Sequence, residues 1–229
     1  PLGHILLRNG SLMAANDRIF ITVKGQGGHG AVPQGTKDAI VCAAQMVTAL
    51  QTVVSRNVAP LESGVVTIGT INGGYNGNII ADRVEMVGTV RSLNIATQLL
   101  MKQRVHEICN GIAGAFGCEV EIKYLHDYPI TVNEQSCVDI VADVAEQTVG
   151  KDTVDTNVQP TMGAEDFAFF LQQRKGCFFF VGACPDGEVG KYPHHKSTFD
   201  VDEDALPVGA TMFLRIVEKI AAQCRGERS

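Results

Sequence analysis

The chain has 229 residues, 45% of them hydrophobic and 19% charged, a balance that permits a packed core and excludes a disordered chain. A formal net charge of -6 argues against non-specific binding to nucleic acid or to an anionic membrane surface. No apolar run reads as long enough to span a bilayer, and the opening residues, PLGHILLRNG, lack the basic start and apolar core of a signal peptide.

Residues 5–8 are apolar enough to add a short strand to the C-terminal section. A clearer strand follows at 18–24, where Ile19, Ile21 and Val23 alternate with other residues. A glycine-rich loop, Gly25-Gln-Gly-Gly-His-Gly30, leads to a helix predicted over 36–55. Its apolar positions Ile40, Ala43, Ala44, Val47, Leu50 and Val54 keep helical spacing. Thr36 is placed to cap it, and Asp38 suits the positive end of its dipole. A strand at 65–71, a turn over 72–78 rich in Gly and Asn, and a strand at 83–92 come next. A helix over 96–116 places Met101, Val105, Ile108 and Ile112 on one face, with Gly117 to end it, and a strand at 119–124 closes the section.

The order strand, helix, strand, strand, helix, strand is the split βαβ, or ferredoxin-like, arrangement. The rest of the chain has α/β character. Asn133 is placed to cap a helix reaching Val149, a short helix runs to about Gln172, and residues 177–181 read as a strand buried on both faces. A long loop spans 185–199, and a final helix over 203–223 lines up Leu206, Ala210, Phe213, Val217 and Ile220. This section has too few strands to close a sheet by itself. Three segments result: 1–15 and 128–229 as parts of one incomplete α/β domain, and 16–127 as a ferredoxin-like domain inserted in it.

Seven cysteines, Cys42, Cys109, Cys118, Cys137, Cys177, Cys184 and Cys224, include no C-x-x-C pair. They read as reduced residues of a cytoplasmic protein, several of them on apolar faces.

Several residues carry types suited to chemistry. His29 lies among glycines that let the backbone approach another surface, and it suits donation to a developing oxyanion; the alternative is a turn histidine facing water. His194 and His195, followed by Asp200, Asp202, Glu203 and Asp204, offer either a metal ligand with orienting carboxylates or a solvated loop before an acidic helix start. Glu165 and Asp166 follow Gly163 where carboxylates most often cap a helix. Arg91 on its strand suits a two-pronged clamp on a carboxylate, or a surface ion pair. Asn78 suits a peptide carbonyl, or only the turn. His4, His106 and His126 show no constellation in the sequence and receive no role.

Five stretches, 24–31 (KGQGGHGA), 73–80 (GGYNGNII), 88–91 (GTVR), 162–167 (MGAEDF) and 195–199 (HKSTF), stand in an order that resembles the metal-dependent amidohydrolases. These are the N-acyl-amino-acid amidohydrolases, hippurate hydrolases, auxin-conjugate hydrolases and related carboxypeptidases. The resemblance runs nearly end to end, with Ala81 and Ser197 standing where that family usually has proline. It implies a catalytic α/β domain holding two divalent ions, zinc or manganese, with an inserted lid domain through which homodimers form. His29 would be the oxyanion donor, and Asn78, Arg91, Gly163 and Glu165 would bind substrate. His195 would be a metal ligand, the remaining ligands and the general base lying outside this chain. The reaction implied is hydrolysis of the amide bond of N-acyl amino acids or small peptides. This chain alone is then expected to be inactive and to hold no tightly bound metal. The alternatives are a deacetylase or dipeptidase of the same superfamily, and a dimerisation or binding module without catalysis of its own.

Overall fold

A computed structural model describes residues 1–184 and 194–226. In chain order its elements are β1 (Ile5–Leu6), β2 (Gly10–Met13), β3 (Ala15–Lys24), β4 (Gly28–His29), α1 (Ala39–Thr52), β5 (Gly64–Gly73), β6 (Ile79–Ile80), β7 (Arg83–Ser92), α2 (Ile95–Ala115), β8 (Glu119–Tyr128), β9 (Thr131–Asn133), α3 (Gln135–Val149), β10 (Val154–Asp155), α4 (Ala168–Leu171), β11 (Phe180–Val181) and α5 (Ala205–Gly226). They divide into two compact units. One comprises Pro1–Leu12, Thr131–Thr161 and Phe167–Ser229; the other comprises Met13–Ile130 and Met162–Asp166.

The Met13–Ile130 unit is built on a four-stranded antiparallel sheet of order β5-β7-β3-β8. Period-two alternation turns Ile19, Ile21 and Val23 of β3 to one face with Val84, Met86 and Val90 of β7. Cys42, Ala43, Met46 and Leu50 of α1 and Met101, Val105 and Cys109 of α2 join them in one core. Each fully buried Ile, Val, Leu or Met contributes about 1.5–3 kcal/mol. The even-numbered residues of β3 face away: Arg18 pairs with Asp127, Lys24 pairs with Glu121, and the Phe20 ring lies beneath the Arg18 and Lys123 cations.

Asp38, not Thr36, caps α1. Its Oδ1 accepts from the N–H groups of Ile40 and Val41 at 2.9 and 3.1 Å, while the Thr36 hydroxyl donates to the Pro33 carbonyl at 2.7 Å. The intervening Lys37 instead bridges to Gln26, which keeps the chain extended up to Asp38. Contrary to the sequence reading, one stretch, Ala39–Asn57, is long and apolar enough to cross a bilayer by length and composition. Its buried side chains pack on the sheet, the arrangement of a core helix. Gly117, with φ of +67°, follows α2 and lets the chain turn into β8.

In the other unit β1 is central, parallel to β10 and antiparallel to β11. Ile5 and Leu7 pack against Val138, Val141, Val144 and Ala145 of α3 and Met212 of α5. The strand predicted over 177–181 shortens to β11. Asn133 is not the cap of α3; Glu134 is, accepting from the Cys137 N–H at 3.3 Å. The Asn133 amide is buried and donates to the carbonyls of Arg8 and Phe178 at 3.0 and 2.8 Å, while its oxygen accepts from the Phe178 N–H at 2.7 Å. Part of the loop predicted over 185–199 lies outside the described residues.

Candidate functional site

The glycine-rich loop after β3 folds back as β4, which pairs with β6 so that His29 faces Ile79 across the ladder. The Gly30 N–H donates to the Asn78 carbonyl at 2.8 Å, which sets the His29 and Asn78 segments side by side. Glycines keep both ends of this loop close to neighbouring backbone. A Cβ on Gly30 would lie 3.1 Å from the Asn78 carbonyl oxygen, and one on Gly25 would lie 2.1 Å from the Lys37 carbonyl oxygen.

His29 and Asn78 are both exposed. The His29 Nδ1 accepts the Ala31 N–H at 3.0 Å. A nitrogen that accepts carries no proton, so in the neutral ring the proton is on Nε2. That tautomer makes Nε2–H the donor, as an oxyanion-binding histidine requires.

Arg91 is half-buried near the end of β7, opposite Asn16 of β3 and Val65 of β5. Its Nη1 donates to the Met162 carbonyl at 2.9 Å. The Ala14 N–H donates to the Gly163 carbonyl at 2.8 Å, and the Thr89 hydroxyl donates to the Asn16 amide oxygen at 2.8 Å. Met162–Asp166 therefore belongs to the same unit as Arg91, far in sequence though it is. Glu165 turns back on the chain, where its Oε1 accepts the Asp166 N–H at 3.1 Å.

His29, Asn78, Arg91, Gly163 and Glu165 all lie in one unit, whereas His195 lies in the other. His195 is exposed and adopts a φ of +63°, the left-handed region that costs a residue with a Cβ. Beside it the His194 ring lies 4.9 Å from that of Phe199. Asp202 is occupied in the turn before α5, accepting from the Asp204 N–H at 3.0 Å. Among the described residues no group of three or more His, Cys, Asp or Glu side chains could hold a metal ion. His195 by itself does not make a metal site.

Sequence reasoning passed over Asp17 and His126, which the fold brings to 2.8 Å of each other. A signal was present. Asp17 is in phase with Ile19, Ile21 and Val23, and His126 with Ile122 and Tyr124, so both sit on the core-facing side of their strands.

The chain belongs to the peptidase family M20/M25/M40, whose model matches residues 13–219. Its relatives are hydrolases by name. It is 40% identical over 210 residues to the Bacillus subtilis (strain 168) protein named "Putative amidohydrolase YhaA", covering 92% of this chain and 53% of that one. It is 35% identical over 213 residues to "Hippurate hydrolase" of Campylobacter jejuni, covering 93% of this chain and 54% of that one. Among solved structures, a "putative aminohydrolase" from methicillin-resistant Staphylococcus aureus superposes with a TM-score of 0.85 at 34% identity, over 94% of this chain and 55% of that one. The Bacillus subtilis YXEP protein, described as a dinuclear metal-binding peptidase of the M20 family, superposes with a TM-score of 0.75 at 26% identity, over 94% and 52%. The mixed α/β fold is that of the family. The chain spans about half the length of these relatives.

Proposed function

We propose that this chain is part of a metal-dependent amidohydrolase that cleaves the amide bond of N-acyl amino acids or small peptides. In this reading the Met13–Ile130 unit is a ferredoxin-like lid that also forms the homodimer, and the other unit is an incomplete share of the catalytic domain. The observation that carries the reading is the His29–Asn78 juxtaposition. A histidine whose Nδ1 is held by a backbone N–H keeps Nε2–H for donation, on a loop hydrogen-bonded to the backbone of Asn78.

His29 would donate to the tetrahedral oxyanion and the Asn78 amide would hold the substrate carbonyl. Arg91 has five N–H donors, and those not engaged by Met162 would clamp the substrate carboxylate. Gly163 and Glu165, on the segment tied to Arg91, would line the same pocket. His195 is proposed as one ligand of a zinc or manganese site whose other donors lie outside these 229 residues, so no step of the reaction is assigned to a metal here. A cytoplasmic location is part of this reading, since cysteines buried among apolar side chains, such as Cys42 and Cys109, suit a reducing compartment.

One observation favours a second reading for this chain taken alone. With no three-donor group among the described residues, it would act as a dimerisation or binding module without catalysis. Hydrolysis of benzoylglycine separates the two, measured on this chain and on a polypeptide of the relatives' full length that contains it. We expect turnover only in the longer protein. There His29→Ala should lower turnover on the order of a hundredfold or more with metal content unchanged. Loss of metal in that variant would make His29 a ligand, and unchanged turnover would remove its catalytic role.

A further inference from the structure

The Asp17 carboxylate is turned into the core, its side chain 1% exposed. Gln98 Nε2 donates to its Oδ1 and Oδ2 at 2.9 and 3.1 Å, and the Tyr124 hydroxyl donates to Oδ2 at 3.0 Å. Burial, helped by the Asp17 charge, pushes the Tyr124 phenol up, so it stays a donor. The fourth contact is His126 Nδ1, 2.8 Å from Oδ1. An ionised carboxylate only accepts, so Nδ1 carries the proton and Nε2 of the neutral ring is an acceptor. Lys102 Nζ lies 3.2 Å from that Nε2 and 5.2 Å from the centre of the Tyr124 ring. The His126 and Tyr124 rings are 5.5 Å apart, and His126 is itself partly exposed.

An amine, an imidazole acceptor and a buried carboxylate fixing that imidazole reproduce the logic of an activated nucleophile. We propose that Lys102 is a reactive lysine, acylated by small acyl phosphates, with His126 as its base and Asp17 as the group that orients the base. Lys102 gives a proton from its ammonium to His126 Nε2, and Asp17 stabilises the imidazolium. The free amine attacks the acyl carbon, the C–N bond forms, and the C–O bond to phosphate breaks. Phosphate leaves with that electron pair, and the second amine proton passes to it or to water. The product is a neutral amide, so the modification removes one positive charge from α2.

The groups facing His126 are Asp17 from β3, Gln98 (Nε2 3.3 Å from Nδ1) and Lys102 from α2, and Tyr124 on its own strand; His106 of α2 lies beyond, its ring 6.2 Å from that of Tyr124. Among them only Lys102 faces Nε2 in the described contacts, and a protonated ring can no longer take its proton.

The test uses this chain and acetyl phosphate, with acetylation at each lysine followed by peptide mass spectrometry. Lys123, whose ammonium lies 6.0 Å from the Phe20 ring on the other face of the sheet, is the internal reference. We expect Lys102 to react about a hundredfold faster than Lys123, at the low end of general-base effects. The ratio should fall towards one in urea, where the fold no longer holds His126 beside Lys102. His126→Phe, folded by circular dichroism, should bring Lys102 down to the rate of Lys123. Equal rates in the native protein, a ratio that persists in urea, or a folded His126→Phe that keeps the faster rate would each overturn the proposal. If that variant fails to fold, the comparison of native and urea-unfolded rates decides.

Discussion

The Arg91 guanidinium donates to the carbonyl of Met162 at 2.9 Å, tying β7 to a segment that follows it by 71 residues. The bond leaves the remaining guanidinium donors for a ligand and satisfies a carbonyl in a partly buried place. Arg91→Ala on this chain should cost about 1–2 kcal/mol in urea unfolding, the price of a carbonyl left without its partner. Arg91→Lys, which can reach the same oxygen with a single point charge, should cost less. Equal stabilities for all three proteins would show that the contact contributes nothing to holding Met162–Asp166.

How much of this was legible beforehand depended on the period of each element. The strands were, because Ile19-Phe-Ile-Thr-Val23 and its neighbours alternate cleanly on a sheet covered on one face. The phase of α1 was not. The sequence pointed to Ile40, Ala43, Ala44, Val47, Leu50 and Val54, whereas the buried positions are Ala39, Cys42, Ala43, Met46 and Leu50, with Ile40 and Val41 exposed. A helix apolar almost all round has no clear moment, so small tertiary preferences choose its face. The site residues could be nominated singly from their glycine-rich settings. Their pairing could not, since Gly30 meets Asn78 through backbone alone and Arg91 reaches a backbone carbonyl at Met162, contacts that no side-chain pattern announces.

The buried face of α5 also differs from the sequence reading and yields a second prediction. The residues at regular helical spacing, Leu206, Ala210, Phe213, Val217 and Ile220, are exposed, and Met212 is the fully buried one, packed with Val208 and Ile216. Met212→Ala should therefore destabilise this chain by about 2–5 kcal/mol. Phe213→Ala, at a position 64% exposed, should cost well under half of that. Comparable losses in chemical denaturation would mean that the outer face of α5 is covered in solution.

Thiol chemistry offers a third. Burial pushes the Cys42 and Cys109 thiols up to about 12, so at neutral pH neither forms the thiolate that alkylation needs. Cys224 is exposed. Iodoacetamide applied to the folded chain should label Cys224 and spare Cys42 and Cys109 until urea is added, as read by peptide mass spectrometry. Labelling of either buried cysteine at the rate of Cys224 would mean that the core around α1 and α2 opens readily.

Metal content provides a fourth. Tight zinc sites use three or four protein ligands, and His195 has no such companions among the described residues. Dialysed protein should contain well under one zinc or manganese ion per chain by elemental analysis. Added zinc should not raise the melting temperature, because a ligand stabilises only the state that binds it. A stoichiometric ion surviving dialysis would show that this chain completes a site from residues other than those proposed.

The last prediction concerns self-association. The sheet of the Met13–Ile130 unit has two edges, β5 and β8. Exposed edges invite pairing with another chain, and charged side chains are a common defence. β8 is defended, carrying Glu119, Glu121, Lys123 and Asp127. β5, with the sequence GVVTIGTING, carries no charge, and Ile71 on it is 51% exposed. Nearby, a Cβ on Gly74 would lie 3.2 Å from the exposed side chain of Ile40, so apolar surface continues from the strand end on to α1. Pairing of β5 with its copy about a two-fold axis would use the same surface twice and close the assembly. Sedimentation of this chain at micromolar concentration should show a dimer, and Ile71→Lys should convert it to a monomer with unchanged circular dichroism. Placing a further charge on β8, by Ile122→Lys, would disturb the core and is no control; Leu125→Lys, next to the existing Arg18–Asp127 pair, should leave the dimer intact. A monomeric parent protein, or a dimer indifferent to Ile71→Lys, would leave the Met13–Ile130 unit with no role in association through this edge.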